Sequence, residues 1–146
     1  MATLGRAVAI AAEAHQLQTD KAGAPYILHP LRVMQRMNTE TEQIAAVLHD
    51  VVEDSAWTIE QLRAEGFSEE VLAAIDCLTT HEGESYDEFI LRASSNPLAR
   101  KVKLADLEDN LDLRRLGKLT EKDLQRIQKY HRVWQSLTRN QNDTTS

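Results

Sequence analysis

One cysteine, three prolines, five glycines and 5% aromatic residues are spread over 146 positions, and each shortage narrows what the chain can be. A lone Cys77 forms no internal disulfide, which fits a reducing compartment, and its apolar neighbours in "VLAAIDCLTT" mark it as a small core side chain. No apolar run reaches the roughly 18–20 residues that span a bilayer. Arg6 and Glu13 interrupt the apolar start "MATLGRAVAIAAEAHQ", so it does not read as a secretion signal. Basic charge is also short: the net charge is −6, which gives no general field for DNA or RNA. A phosphate-bearing ligand would need a local Lys/Arg cluster. Strand-like alternation between hairpin turns is missing as well. The expectation is a cytoplasmic protein without membrane or nucleic-acid partners. Nothing in the sequence sets its oligomeric state.

What is present is an ordinary globular composition, 42% hydrophobic and 27% charged. A chain of this size buries roughly 70% of the surface its unfolded form exposes, enough for a core without staples. Nearly every segment has helical period. Leu4, Val8, Ala11 and Ala12 form one stripe over residues 3–16. Gly23 and Pro25 mark a loop, and Pro30 opens a second helix. Thr39 to His49 reads as a third. Thr58 with Gln61 forms a capping-box signal, and Gly66 ends that short helix. Ser68 and Ser85 cap two more, Pro97 begins a long helix to about Arg115, and Thr120 with Asp123 starts a last one to about Leu137. The expectation is an all-α, irregular bundle of seven or eight helices: a single domain over 1–138, with a polar, disordered tail at 139–146.

Five histidines and several acids need an account. His15 stands at a helix end, where a cation is favoured; His81 lies in a polar loop; His131 sits beside Tyr130 and Trp134. His29 and His49 differ. His29 is framed by "PYILHP", and His49 and Asp50 follow the apolar "AAVL". Asp106 follows apolar residues in "VKLADLEDN". A core excludes such groups unless they are paired or bound to metal. Two histidines and two aspartates make a mixed nitrogen and oxygen donor set, suited to Mn, Fe or Zn more than to Ca or Mg. Lys103, Asp106 and Asn110 fall on one helical face. If the third helix continues, Glu53 lies one turn above His49. Glu53 and Asp54 then oppose the helix dipole, which favours a functional reason for them.

The segments "DKAGAPYILHP" (20–30), "AAVLHDVVED" (45–54) and "VKLADLEDN" (102–110) carry a resemblance. In order and spacing the chain resembles the HD-domain metal phosphohydrolases. The hydrolase domains of RelA/SpoT-type enzymes and the stand-alone small alarmone hydrolases are the nearest of them, and the likeness extends over about residues 3 to 137. The resemblance implies that His29, His49, Asp50 and Asp106 bind one divalent metal ion, usually manganese. It implies that Glu53 and Asp54 handle the attacking water. It places Lys21 in the nucleotide pocket and Asn110 at the sugar–phosphate region. Lys103 would offset phosphate charge, with Arg100 and Lys101 as weaker candidates. The implied reaction is metal-activated hydrolysis of the 3′-pyrophosphate of guanosine 3′,5′-bis(diphosphate), and 146 residues leave no room for a synthetase domain.

The chain also departs from that pattern. Asp20 precedes Lys21 where the family often has Arg. "HQLQ" stands at 15–18 for HxGQ, and Leu107 and Asp109 replace two basic residues after Asp106. The metal set is kept while the substrate frame is changed. Two other readings therefore stand beside the first: an HD phosphohydrolase acting on another phosphorylated nucleotide or cofactor, and a non-catalytic nucleotide-binding regulatory domain. A di-iron oxygenase would need more ligands, and the chain has no Glu-x-x-His pair of the ferritin-like kind.

Overall fold

The computed structural model describes residues 2–143, with the side chains of residues 2–139. Nine α-helices and one 3-10 turn account for the regular structure among these residues. They are α1 (Leu4–His15), α2 (Leu28–Gln35), α3 (Glu40–Leu48), α4 (Val51–Asp54), α5 (Ile59–Ala64), α6 (Glu69–Cys77), α7 (Tyr86–Ser95), α8 (Pro97–Asn110) and α9 (Glu121–Asp143), with the 3-10 turn at Leu113–Arg115. The architecture is all-α, as expected. The four-residue α4 is the element that the helical pattern does not separate from α3.

Local chemistry starts most of these helices. Thr3, Thr39, Thr58, Ser68, Ser85 and Asn96 each accept a hydrogen bond from a backbone N–H in the first turn of the helix that follows. Thr39 with Glu42 and Thr58 with Gln61 are reciprocal capping boxes. Thr120 and Asp123 exchange the same pair of bonds at the start of α9. Gly66, at φ 101°, takes the left-handed conformation that ends α5. Three boundaries differ from the sequence-based expectation. α2 begins at Leu28, so His29 lies inside the helix and not before it. α8 ends at Asn110, and the chain to Arg115 tightens into the 3-10 turn. α9 runs to Asp143, beyond the expected end near Leu137; of the expected tail, residues 144–146 lie outside the described residues.

The core is built around α3. Ala45, Ala46, Val47 and Leu48 have no exposed surface, so this helix is covered on all sides at its C-terminal half. One apolar cluster joins Ile10, Val47, Leu48, Leu62, Leu72 and Ile75 from α1, α3, α5 and α6. A second packs Val33, Ala45, Ala46, Ala74 and Val102, with Cys77 half-buried at its edge. A third, smaller one seats Val133 and Leu137 of α9 on Leu104 and Leu107 of α8. Leu72 is 1% exposed and belongs to the first cluster, which contains none of the histidines. Leu72→Ala is expected to lower the unfolding free energy by about 2–5 kcal/mol, read by chemical denaturation. A loss under about 1 kcal/mol would show that this cluster is not the core.

Candidate metal centre and adjoining cleft

α3 delivers His49 to the middle of the molecule, and the chain breaks there. The His49 Nδ1–H donates to the Ala46 carbonyl at 2.5 Å, the oxygen that the Asp50 N–H would take in a continuing helix. Asp50 adopts φ −103°, ψ −3°, and α4 restarts with the Asp54 N–H donating to the Asp50 carbonyl at 2.9 Å. The break lets adjacent residues point into one place. His49 Nε2 lies 3.0 Å from Asp50 Oδ2. From α2, His29 Nε2 lies 2.8 Å from Asp106 Oδ1 and 3.9 Å from Asp50 Oδ2. Asp106 Oδ1 is 3.5 Å from His49 Nε2. Ligand atoms of His29, His49 and Asp50 fall within 4.8 Å of one another. The four residues named from the sequence are brought together by α2, the α3–α4 break and α8.

A divalent cation fits these donors. His49 Nε2 is buried and has no hydrogen-bond partner among the described residues, although Asp50 Oδ2 is close. With Nδ1 engaged by the Ala46 carbonyl, Nε2 is the nitrogen that faces the cluster, and Asp50 and Asp106 outweigh burial and raise the pKa of this ring. His29 is arranged likewise, its Nδ1 held at 2.6 Å by Asp109 Oδ2. Electrostatics agree. Burial pulls the His29 imidazole down, but Asp106 and Asp109 outweigh it and raise the pKa to about 8. Burial alone would neutralise Asp106; the Lys103 ammonium and both imidazoles hold it well below the carboxylate range. Two positively inclined rings facing two anions is what a cation would replace.

The other predicted residues divide. Lys103 Nζ donates to Asp106 Oδ2 at 3.0 Å, over the Phe89 ring, so it braces that carboxylate. Asn110 donates to Asp106 Oδ1 at 3.2 Å and also lines a cleft of about 250 Å³. Lys21 lines the same cleft with Arg115, Arg126, Tyr26 and Tyr130. Burial and the neighbouring Arg126 and Lys122 lower the Lys21 pKa. Arg100 and Lys101 are engaged elsewhere, on the Leu137 carbonyl and on Glu42. Glu53 is engaged by Thr80, whose hydroxyl donates to its carboxylate at 2.5 Å. Asp54 is exposed, and partial burial with the negative Asp50 and Glu53 pushes its pKa up to about 6.

Several residues take parts that the sequence pattern does not assign them. The Tyr26 hydroxyl donates to Asp50, and burial with that carboxylate keeps the phenol protonated. Tyr26 stands three residues before His29, a spacing that could have drawn attention to it. Asp109 lies one turn after Asp106 on α8 and is 1% exposed. Asp20 acts locally. It accepts from the Ala22 and Ala24 N–H groups, both at 2.9 Å, and so shapes the loop that carries Lys21. His15 is no helix-end cation. It is 1% exposed, bonded to Gln18, and burial lowers its pKa.

Residues 7–116 match the model of a family described as HD domain. The chain belongs to the HD-domain family. Curated relatives of this HD domain include the guanosine-3′,5′-bis(diphosphate) 3′-pyrophosphohydrolase of Aquifex aeolicus, 36% identical over 119 residues, which cover 73% of this chain and 17% of that protein. The protein of the same name from Haemophilus influenzae is 34% identical over 135 residues, 82% of this chain and 20% of that one. The HD domain thus spans about a fifth of the curated relatives it matches. A solved structure described as a metazoan ortholog of SpoT that hydrolyses ppGpp superposes with a TM-score of 0.77 at 24% identity, over 94% of this chain and 85% of that one. That likeness establishes the fold. The helices that present His29, His49, Asp50 and Asp106 therefore belong to a known architecture. No described helix is long and apolar enough to cross a membrane.

Proposed function

We propose that this HD domain is a metal-dependent phosphohydrolase that removes pyrophosphate from the 3′ position of guanosine 3′,5′-bis(diphosphate), with manganese as its metal. The observation that carries the reading is the convergence of two imidazole nitrogens and two carboxylates beside a cleft bearing Lys21 and Asn110. The names of the relatives point to the same substrate. His29, His49, Asp50 and Asp106 would hold the ion. When bound, a divalent cation supplies acidification of water and polarisation of a phosphoryl oxygen.

The chain's own groups do the rest. Tyr26 and Asn110 fix Asp50 and Asp106 from the cleft side, so a substrate in the cleft meets carboxylates that do not swing. Lys21, Arg115 and Arg126 offset phosphate charge along the cleft. Asp54, titrating near neutrality beside Asp50, takes and returns the proton of the attacking water. We place the domain in the cytoplasm, where Cys77 stays a thiol. The net charge of −6 argues against a DNA or RNA partner.

A second reading keeps this chemistry and changes the substrate to another phosphorylated nucleotide. Asp20 and Asp112 on the cleft wall favour it, since they add negative charge beside Lys21 and Arg115. One assay separates the two. Manganese-loaded protein is offered a panel of 3′-phosphorylated nucleotides, and released pyrophosphate and phosphate are followed by chromatography. Pyrophosphate from guanosine 3′,5′-bis(diphosphate), lost with chelator and restored by manganese, is the expected result. Turnover of other panel members alone would move the assignment to the second reading.

A further inference from the structure

One of the two side chains that depart from the family pattern after Asp106 is also one of the least exposed polar groups among the described residues. Asp109 is 1% exposed and sits behind His29, on the side away from the carboxylate cluster. Its Oδ2 accepts from His29 Nδ1 at 2.6 Å. Its other contacts come from two arginines. Arg32, one turn after His29 on α2, donates through Nε to Oδ1 at 2.7 Å and through Nη2 to Oδ2 at 3.0 Å. Arg115 Nη2 lies 3.6 Å from Oδ2 and donates to the Asp109 carbonyl at 3.2 Å.

A carboxylate gripped by a two-pronged guanidinium cannot rotate, so the acceptor offered to His29 is fixed in position. That acceptor requires the hydrogen on Nδ1. The ring is then committed to present Nε2 to Asp106 and Asp50. Asp109 serves His29 as the Ala46 carbonyl serves His49, but a charged group holds the ring more firmly than a neutral carbonyl.

We propose that Asp109, clamped by Arg32, is a positioning residue: it fixes the tautomer and direction of His29 and thereby sets the affinity of the site for a divalent cation. This rests on the metal-binding part of the reading above.

The test uses the whole chain, purified free of metal, with zinc as a diamagnetic probe. Zinc affinity is measured by calorimetry, and the tautomer of each ring by long-range 15N–1H spectra of the metal-free, histidine-labelled protein at about pH 9, above the His29 pKa of about 8, where that ring is neutral. Asp109→Asn is expected to weaken zinc binding about 10–100-fold and to lose the wild-type Nδ1–H signature of His29, while His49 keeps its own. Arg32→Gln, which leaves Asp109 in place but loosens it, is expected to shift both readouts in the same direction by less. It carries the test if Asp109→Asn does not fold. Wild-type affinity and an unchanged His29 spectrum in the folded variant would overturn the proposal, even with a lowered melting temperature. A wild-type protein that binds neither zinc nor manganese would instead sink the metal reading, and this inference with it.

Discussion

Asp106→Asn is expected to reduce metal-dependent pyrophosphate release to the level seen with chelator, a loss of at least about 10³-fold, above the about 10–100-fold of an outer partner. The substitution keeps the shape of the side chain and one oxygen. What it removes is the negative charge that Lys103, His29 and His49 surround at 3.0, 2.8 and 3.5 Å. Without it the donor set has one anion, Asp50, to hold a doubly charged ion. Lys103, whose side chain is only 12% exposed, also loses its counter-charge, so the melting temperature falls too. Activity and helical content are therefore compared at a temperature where circular dichroism shows both proteins folded. Asp106 is not a ligand if the folded, metal-loaded variant turns over at the wild-type rate.

The second large effect separates two neighbours that the sequence can only treat as a pair. Asp54→Asn is expected to lower turnover by about 10²–10⁴-fold, the usual range for a proton-transferring group. Glu53→Gln is expected to cost much less, because its carboxylate is already spent on the Thr80 hydroxyl. The pH profile gives the sign. Asp54 must be unprotonated to accept a proton, so the rate rises with pH through its pKa of about 6 and levels above it. A bound cation offsets the negative Asp50 and moves that limb to or below this value. In Asp54→Asn the limb disappears. Equal losses in both variants, or a limb that survives in Asp54→Asn, would return the proton transfer to Glu53 or to solvent.

The parts of the molecule that are legible in the sequence are those with local causes. Thr58 with Gln61, Ser68, Ser85, Pro97 and Thr120 with Asp123 all start helices where their side chains predict, because a cap acts over three residues. The four donors are legible because polar groups following apolar runs need a reason. The break after Leu48 is not, since the competitor for the Ala46 carbonyl is a side chain whose rotamer only packing decides. Asp109 reads in the sequence as a change in the substrate frame, and its bonds to His29 and Arg32 are not legible there. Its partner His29 is 80 residues away in the chain, and no periodicity connects them. The face that Lys103 shares with Asp106 suggests a phosphate partner, but the same spacing lets it bond Asp106 itself.

The arrangement of α9 has a consequence for how such a protein can change over time. Its inner side rests on the small third cluster, Leu104, Leu107, Val133 and Leu137, while its first turns carry Arg126 and Tyr130 into the cleft. The four proposed donors come from α2, the α3–α4 break and α8. Replacements at Arg126 or Tyr130 thus alter what the cleft admits without touching a single ligand side chain. On the proposed reading, selection can retune the guest of the cleft while the four proposed donors stay under a separate constraint.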